Sequence, residues 1–141
     1  MAGLVTRDPL IRTIYNALLA INSSFQEQLD TVVDINAILA AETNVFALSV
    51  PGTCYIVRSL RLKCEDPGAN TVSVRLYELV NDVATAVDTF EIDSANFATY
   101  HSLMDMFGLP QLSGYNLRVT VQASAGGPYA VTGQYSHATA T

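Results

Sequence analysis

Two cysteines, two histidines and a loose set of carboxylates are the side chains in this 141-residue sequence that first invite a chemical reading. A catalytic Cys54 would need a neighbouring base, and its place inside a predicted strand points inward, where thiols are inert. Cys54 and Cys64 stand ten residues apart in that strand. Even spacing puts them on one face, but about 33 Å apart along a straight strand, beyond the reach of a disulfide. They read as two small buried apolar residues, kept reduced as in a cytoplasm. His101 falls on the polar side of a short predicted helix and His137 in a Ser/Ala/Thr-rich tail. Neither has a cysteine or carboxylate at ligand spacing, so both read as solvent-facing. Asp88, Glu91, Asp93 and Asp105 gather along one predicted edge without the spaced Asp/Asn/Gly loop that calcium requires. Gly126-Gly127 lacks the lysine and following helix of a phosphate loop. No cofactor, metal or catalytic set is expected, and the chain does not read as an enzyme.

Tyrosine is the remaining polar handle. Tyr100, Tyr115, Tyr129 and Tyr135 fall near turns or in the C-terminal hairpin, where an amphipathic ring fills a subunit interface or stacks on a sugar. Tyr115, Tyr129 and Tyr135 are the candidate ligand or interface residues.

Composition points toward assembly. Half the residues are apolar and 14% are charged, against about 25% in ordinary soluble domains; mean hydropathy is +0.26. A chain this small exposes much of its surface, so covering by other subunits is expected. Net charge is −6. The seven basic residues are scattered, dense only over 58–63, which argues against nucleic acid as a partner. No apolar run approaches the roughly 20 residues that span a bilayer. A secretory signal is not expected either, because Asp8, Arg12 and Asn16 interrupt the N-terminal region.

The elements that must position these residues fall into two predicted units, 1–43 and 44–141. From Ile11 to Leu39 the apolar residues repeat in sevens. Ile11, Leu18, Phe25, Val32 and Leu39 fall at one heptad position and Ile14, Ile21, Gln28 and Ile35 at the other. That 3-4 spacing over about four heptads predicts a coiled-coil helix, a rod of roughly 45 Å that gathers copies of itself. Asp8-Pro9 is a suitable start. The apolar face is broad enough for three strands, with Gln28 setting register near the axis. Asn22-Ser23-Ser24 is a weak stretch, and a helical hairpin broken there is the alternative. Its match to a glycosylation pattern is taken as chance.

Beyond Asn44 the period becomes two. Strands are predicted over 45–50, 54–64 (with Arg58 the misfit, marking a bulge), 72–77, 84–92, 117–123 and from Tyr129 onward. A short helix is predicted over 94–107, closed by Gly108. Six or more alternating strands indicate an antiparallel β-sandwich, with a jelly roll preferred among Greek-key arrangements.

A helical stalk leading into a β-sandwich, with Val50-Pro51-Gly52-Thr53 before one strand and Val72-Ser73-Val74-Arg75-Leu76-Tyr77 within another, resembles trimeric phage and viral appendage proteins. These are head fibres, capsid decoration proteins and tail-fibre heads. The resemblance implies a homotrimeric virion structural protein assembled in the host cytoplasm, attached by its helix to capsid or other virion proteins. The alternative it implies is a receptor- or carbohydrate-binding head that meets a host glycan or surface protein. C1q/TNF-like trimers share the plan but are normally secreted.

Overall fold

The computed structural model describes residues 9–24 and 28–140, with side-chain environments for 9–17 and 30–140. Helix α1 spans Pro9–Ser24, and Thr13 Oγ1 closes its first turn by donating to the Pro9 carbonyl oxygen at 2.8 Å. The chain then changes period. Gln28–Ala37 is strand β1, paired antiparallel over ten residues with β9, Tyr129–Ala140.

This overturns the expected long N-terminal helix and its trimeric coiled coil. In β1 the inward positions carry Val33 and Ala37, both buried, and half-buried Thr31 and Ile35; Asp30, Val32, Asp34 and Asn36 face outward and are exposed. The same residues fit a heptad and an alternation. Thr31-Val32-Val33 and Ile35 are β-branched, stiff at χ1 and suited to a pleated surface, and β9 supplies a ladder that an isolated helix lacks. Tertiary pairing therefore wins. Val32, expected in the helix interface, is 79% exposed on the outer sheet face. Ile35 packs against the core, and Leu39 is exposed in the loop after β1. Ile11 and Ile14 lie on exposed turns of α1. Phe25 lies outside the described residues, as do the side chains of Leu18, Ile21 and Gln28. The eight heptad positions whose backbone is described are thus divided between a helix, a strand and a loop.

The remaining strands are β2 (Thr43–Leu48), β3 (Cys54–Cys64), β4 (Val72–Val80), β5 (Val83–Ile92), β6 (His101–Ser102), β7 (Leu112–Gly114) and β8 (Leu117–Ala123). One sheet has the order β1-β9-β3-β6, with β7 also on β3; the other has β2-β8-β4-β5. Every pairing is antiparallel. The chain crosses between the sheets at every connection except β4–β5 and β6–β7, and the resulting strand order is that of a jelly roll. The core between them is aliphatic, with Leu60, Leu62, Val72, Val74, Leu76, Ile92, Leu117, Val119 and Val131 almost fully buried.

In β3 the register breaks between Val57 and Ser59, so Arg58 is accommodated by a bulge. The break shifts the phase. Tyr55 and Val57 are buried with Leu60, Leu62 and Cys64, while Cys54 and Ile56 turn to the other face. The two cysteines accordingly lie on opposite faces, correcting the reading from even spacing. Between β5 and β7, the segment expected as one helix over 94–107 is a turn, strand β6 and a single helical turn, α2 (Leu103–Phe107). Ser102 and Asp105 form a reciprocal capping box there, and Gly108 closes it in the left-handed region at φ 69°.

Candidate functional site

The residues singled out for chemistry do not converge. Cys64 is buried, and that burial, with the negative charge of Glu65, pushes its thiol up to about 11. Such a thiol is not a nucleophile at neutral pH. His101 is buried rather than solvent-facing: its Nε2 lies 2.8 Å from the Asn96 carbonyl oxygen and its ring packs 5.0 Å from Phe90. His137 also turns inward, between Tyr135 and Tyr55 at 5.7 and 6.3 Å. The acidic residues serve the backbone locally. Asp88 accepts from the Thr89 N–H at 2.8 Å, and Asp93 accepts from Ala95 and Asn96 at 2.8 and 3.2 Å. Asp105 caps α2, and the hydrogen bonds from Ser102 hold its carboxyl below the usual range. Among the described residues, no three His, Cys, Asp or Glu side chains group to hold a metal ion.

The tyrosines also separate. Tyr135 packs on Phe46 at 4.9 Å between the sheets, and Tyr129 accepts from the Asn70 amide at 2.8 Å. Tyr115 and Tyr100 are widely exposed, at 63% and 56%.

A polar cluster absent from the sequence reading crosses the outer face of the β2-β8-β4-β5 sheet. Alternation turns Arg75 and Tyr77 of β4 and Arg118 and Gln122 of β8 outward, and Glu42 reaches them from the β1–β2 loop. Arg75 Nη1 donates to Glu42 Oε1 at 2.7 Å and to Gln122 Oε1 at 2.8 Å. Gln122 Nε2 donates to the Leu39 carbonyl oxygen at 3.0 Å, pinning the same loop. The Arg118 guanidinium lies 4.1 Å from the centre of the Tyr77 ring. The outward positions were legible in the strands; Glu42, from a loop, was not.

A different surface gathers at the end of the sandwich where β1, β3, β5 and β8 begin and β2, β4 and β9 finish. The registers place the β2–β3 turn, the β4–β5 turn and the β7–β8 loop side by side there. The β4–β5 hairpin is tied by Asn81 and Asp82, both at positive φ (50° and 62°), as a two-residue turn requires. This end carries Val50 (61% exposed), Leu79, Val80, Val83 (63%) and Tyr115, and Leu79 and Tyr115 share one small cleft. Exposed apolar residues gathered in one place mark a contact surface more often than they decorate a monomer. The open edge of β5 itself is blunted, because the register shifts beside Val87 and Asp88 sits opposite buried Leu76.

No protein-family model matches the sequence, and no curated protein does. A two-sheet antiparallel sandwich with jelly-roll strand order is the class of fold. A solved structure similar to it comes from Bacillus endospore appendages, described as forming a novel family of disulfide-linked pili. The TM-score is 0.54 with 19% identity, covering 82% of this chain and 88% of that chain. The likeness is one of fold. The protein that this chain resembles is a bacterial appendage protein. Among the described residues, no helix is long and apolar enough to cross a membrane.

Proposed function

We propose that this chain is a non-enzymatic structural subunit whose copies associate into a surface-exposed appendage. The observation that carries the reading is the apolar end formed by Val50, Leu79, Val80, Val83 and Tyr115. Water-exposed aliphatic groups there gain about 25 cal/mol per Å² when a second copy covers them. The low charge content points the same way, and the fold neighbour is a pilus protein. Light scattering and negative-stain electron microscopy of the purified chain test it. Concentration-dependent assemblies are expected, and Val83→Lys combined with Tyr115→Lys is expected to leave single folded chains. A wild-type chain that stays monomeric when concentrated sinks the proposal.

A second reading, a virion component that decorates a capsid or forms a fibre, is favoured by the jelly-roll strand order, an architecture shared with viral capsid proteins. The same micrographs separate the two. Open filaments of this chain alone support the first, and binding only to added capsids supports the second.

A further inference from the structure

We propose that the outer face of the β1-β9-β3-β6 sheet holds a binding groove for an acidic saccharide, with Arg61 taking the carboxylate. The groove has a volume of about 480 Å³ and, among the described residues, is lined by Ser59, Arg61, Tyr100, Gly133 and Gln134. That is the size of ordinary small-ligand sites, about 300–1,000 Å³. It lies along the middle of β3 and β9 rather than at the strand ends, and its case does not rest on the appendage reading.

Its walls are set by the sheet. Arg61 and Gln134 are direct cross-strand partners on β3 and β9, and both are exposed. Ser59 follows at the bulge, its hydroxyl 2.6 Å from that of Ser136. Gly133 keeps the floor close: a β-carbon there would collide with the Arg61 carbonyl oxygen. Tyr100 stands over the groove at 56% exposure, with Lys63 Nζ 5.7 Å from its ring centre. Arg58, Arg61 and Lys63 are three of the seven basic residues of a chain with net charge −6. Yet the ion pair of the described residues is Arg75 with Glu42, elsewhere. Among the described residues, no carboxylate lies within ion-pair distance of Arg58, Arg61 or Lys63.

The chemistry selects the ligand. A planar guanidinium matches a carboxylate through two parallel hydrogen bonds. A tyrosine ring offers an apolar face to the C–H side of a pyranose, and Gln134 and Ser59 supply donors and acceptors for hydroxyls. Asp30 and Asp34 stand on β1 opposite Ser136 and Thr132, one strand away from Arg61 and outside the groove lining. Their charge disfavours a densely anionic polymer such as nucleic acid. One carboxylate on a polar ring fits better.

Calorimetric titration of the full chain with trigalacturonate tests this, with maltotriose and sodium phosphate as comparison probes. Saturable binding is expected for trigalacturonate, weakened about tenfold by Arg61→Ala and by Tyr100→Ala. Both positions are exposed, and unchanged circular dichroism verifies that the variants fold. The proposal is overturned by any of three results: no saturable binding, equal binding of maltotriose, or binding that survives Arg61→Ala. Displacement by phosphate together with indifference to Tyr100→Ala also overturns it, since that describes a simple anion site.

Discussion

The Tyr77 hydroxyl donates to both carboxylate oxygens of Glu42, at 2.7 and 2.8 Å. Arg75 reaches the same Oε1 at 2.7 Å, so one loop carboxylate ties the β1–β2 connection to the central strand of a sheet. Neither residue is far from water, so the link depends on geometry more than on burial.

That link has a pH dependence. Burial raises the Glu42 pKa, but the hydrogen bonds from Tyr77 and Arg75, with the charges of Arg75 and Arg118, outweigh it and hold the carboxyl below its usual value. A lowered folded value contributes stability above the unfolded pKa, and that stability is lost as pH falls through the folded one. Glu42→Gln is expected to lower the urea midpoint near neutrality and to converge with wild type once the pH falls below the lowered folded value. The Tyr77 pKa is raised by burial and by Glu42, so its contribution disappears as pH rises through the raised value. Parallel curves for the two proteins across the acid range would count against the link.

Gly133 predicts a steric effect without any change of polarity. Its backbone φ is ordinary, so the cost of a side chain is one of space: the new β-carbon meets Arg61 backbone. Gly133→Ala is expected to destabilise by about 1–3 kcal/mol, as overpacking does. A chemical denaturation curve with wild-type midpoint would show that β9 shifts freely.

The cysteines should differ in reactivity. Cys64 is buried with a raised thiol pKa, whereas Cys54 is partly exposed near the C-terminal end of β9. A thiol reagent at mildly alkaline pH is expected to label Cys54 in the native chain and Cys64 only after unfolding. Mass mapping of the labelled peptides reads the order directly. Any covalent link between copies would then fall to Cys54.

The β4–β5 turn should be sensitive to side-chain type. Asn81 and Asp82 occupy left-handed φ, which a β-branched residue disfavours. Asn81→Val is expected to cost about 1–2 kcal/mol, and Asn81→Gly much less, measured by thermal unfolding. Because the hairpin carries Leu79, Val80 and Val83, the valine variant should also weaken self-association in light scattering.

Alternation in 72–77 and 117–123 sufficed to place those strands, since period two with one apolar face has few other uses. The signals of Gly108 as a helix end and of a bulge near Arg58 were equally local and equally readable. Residues 28–37 were not. Their apolar positions satisfy a heptad and an alternation at once, and a helix running on from α1 is the nearer option for a chain read in order. Only β9, about a hundred residues later, decides the matter, because its ten-residue ladder pairs the backbone groups that β1 turns toward it. His101 follows the same logic: its burial depends on Phe90 and the Asn96 carbonyl, which the fold brings together. The groove around Arg61 and Tyr100 and the Glu42 cluster likewise join residues from separate strands and loops. By itself, then, the sequence determined where polar and apolar faces alternate and how little charge covers them. Strand partners, the β3 phase shift and the surfaces left exposed were decided by long-range pairing, because a short segment cannot show which distant segment will complete its hydrogen bonds.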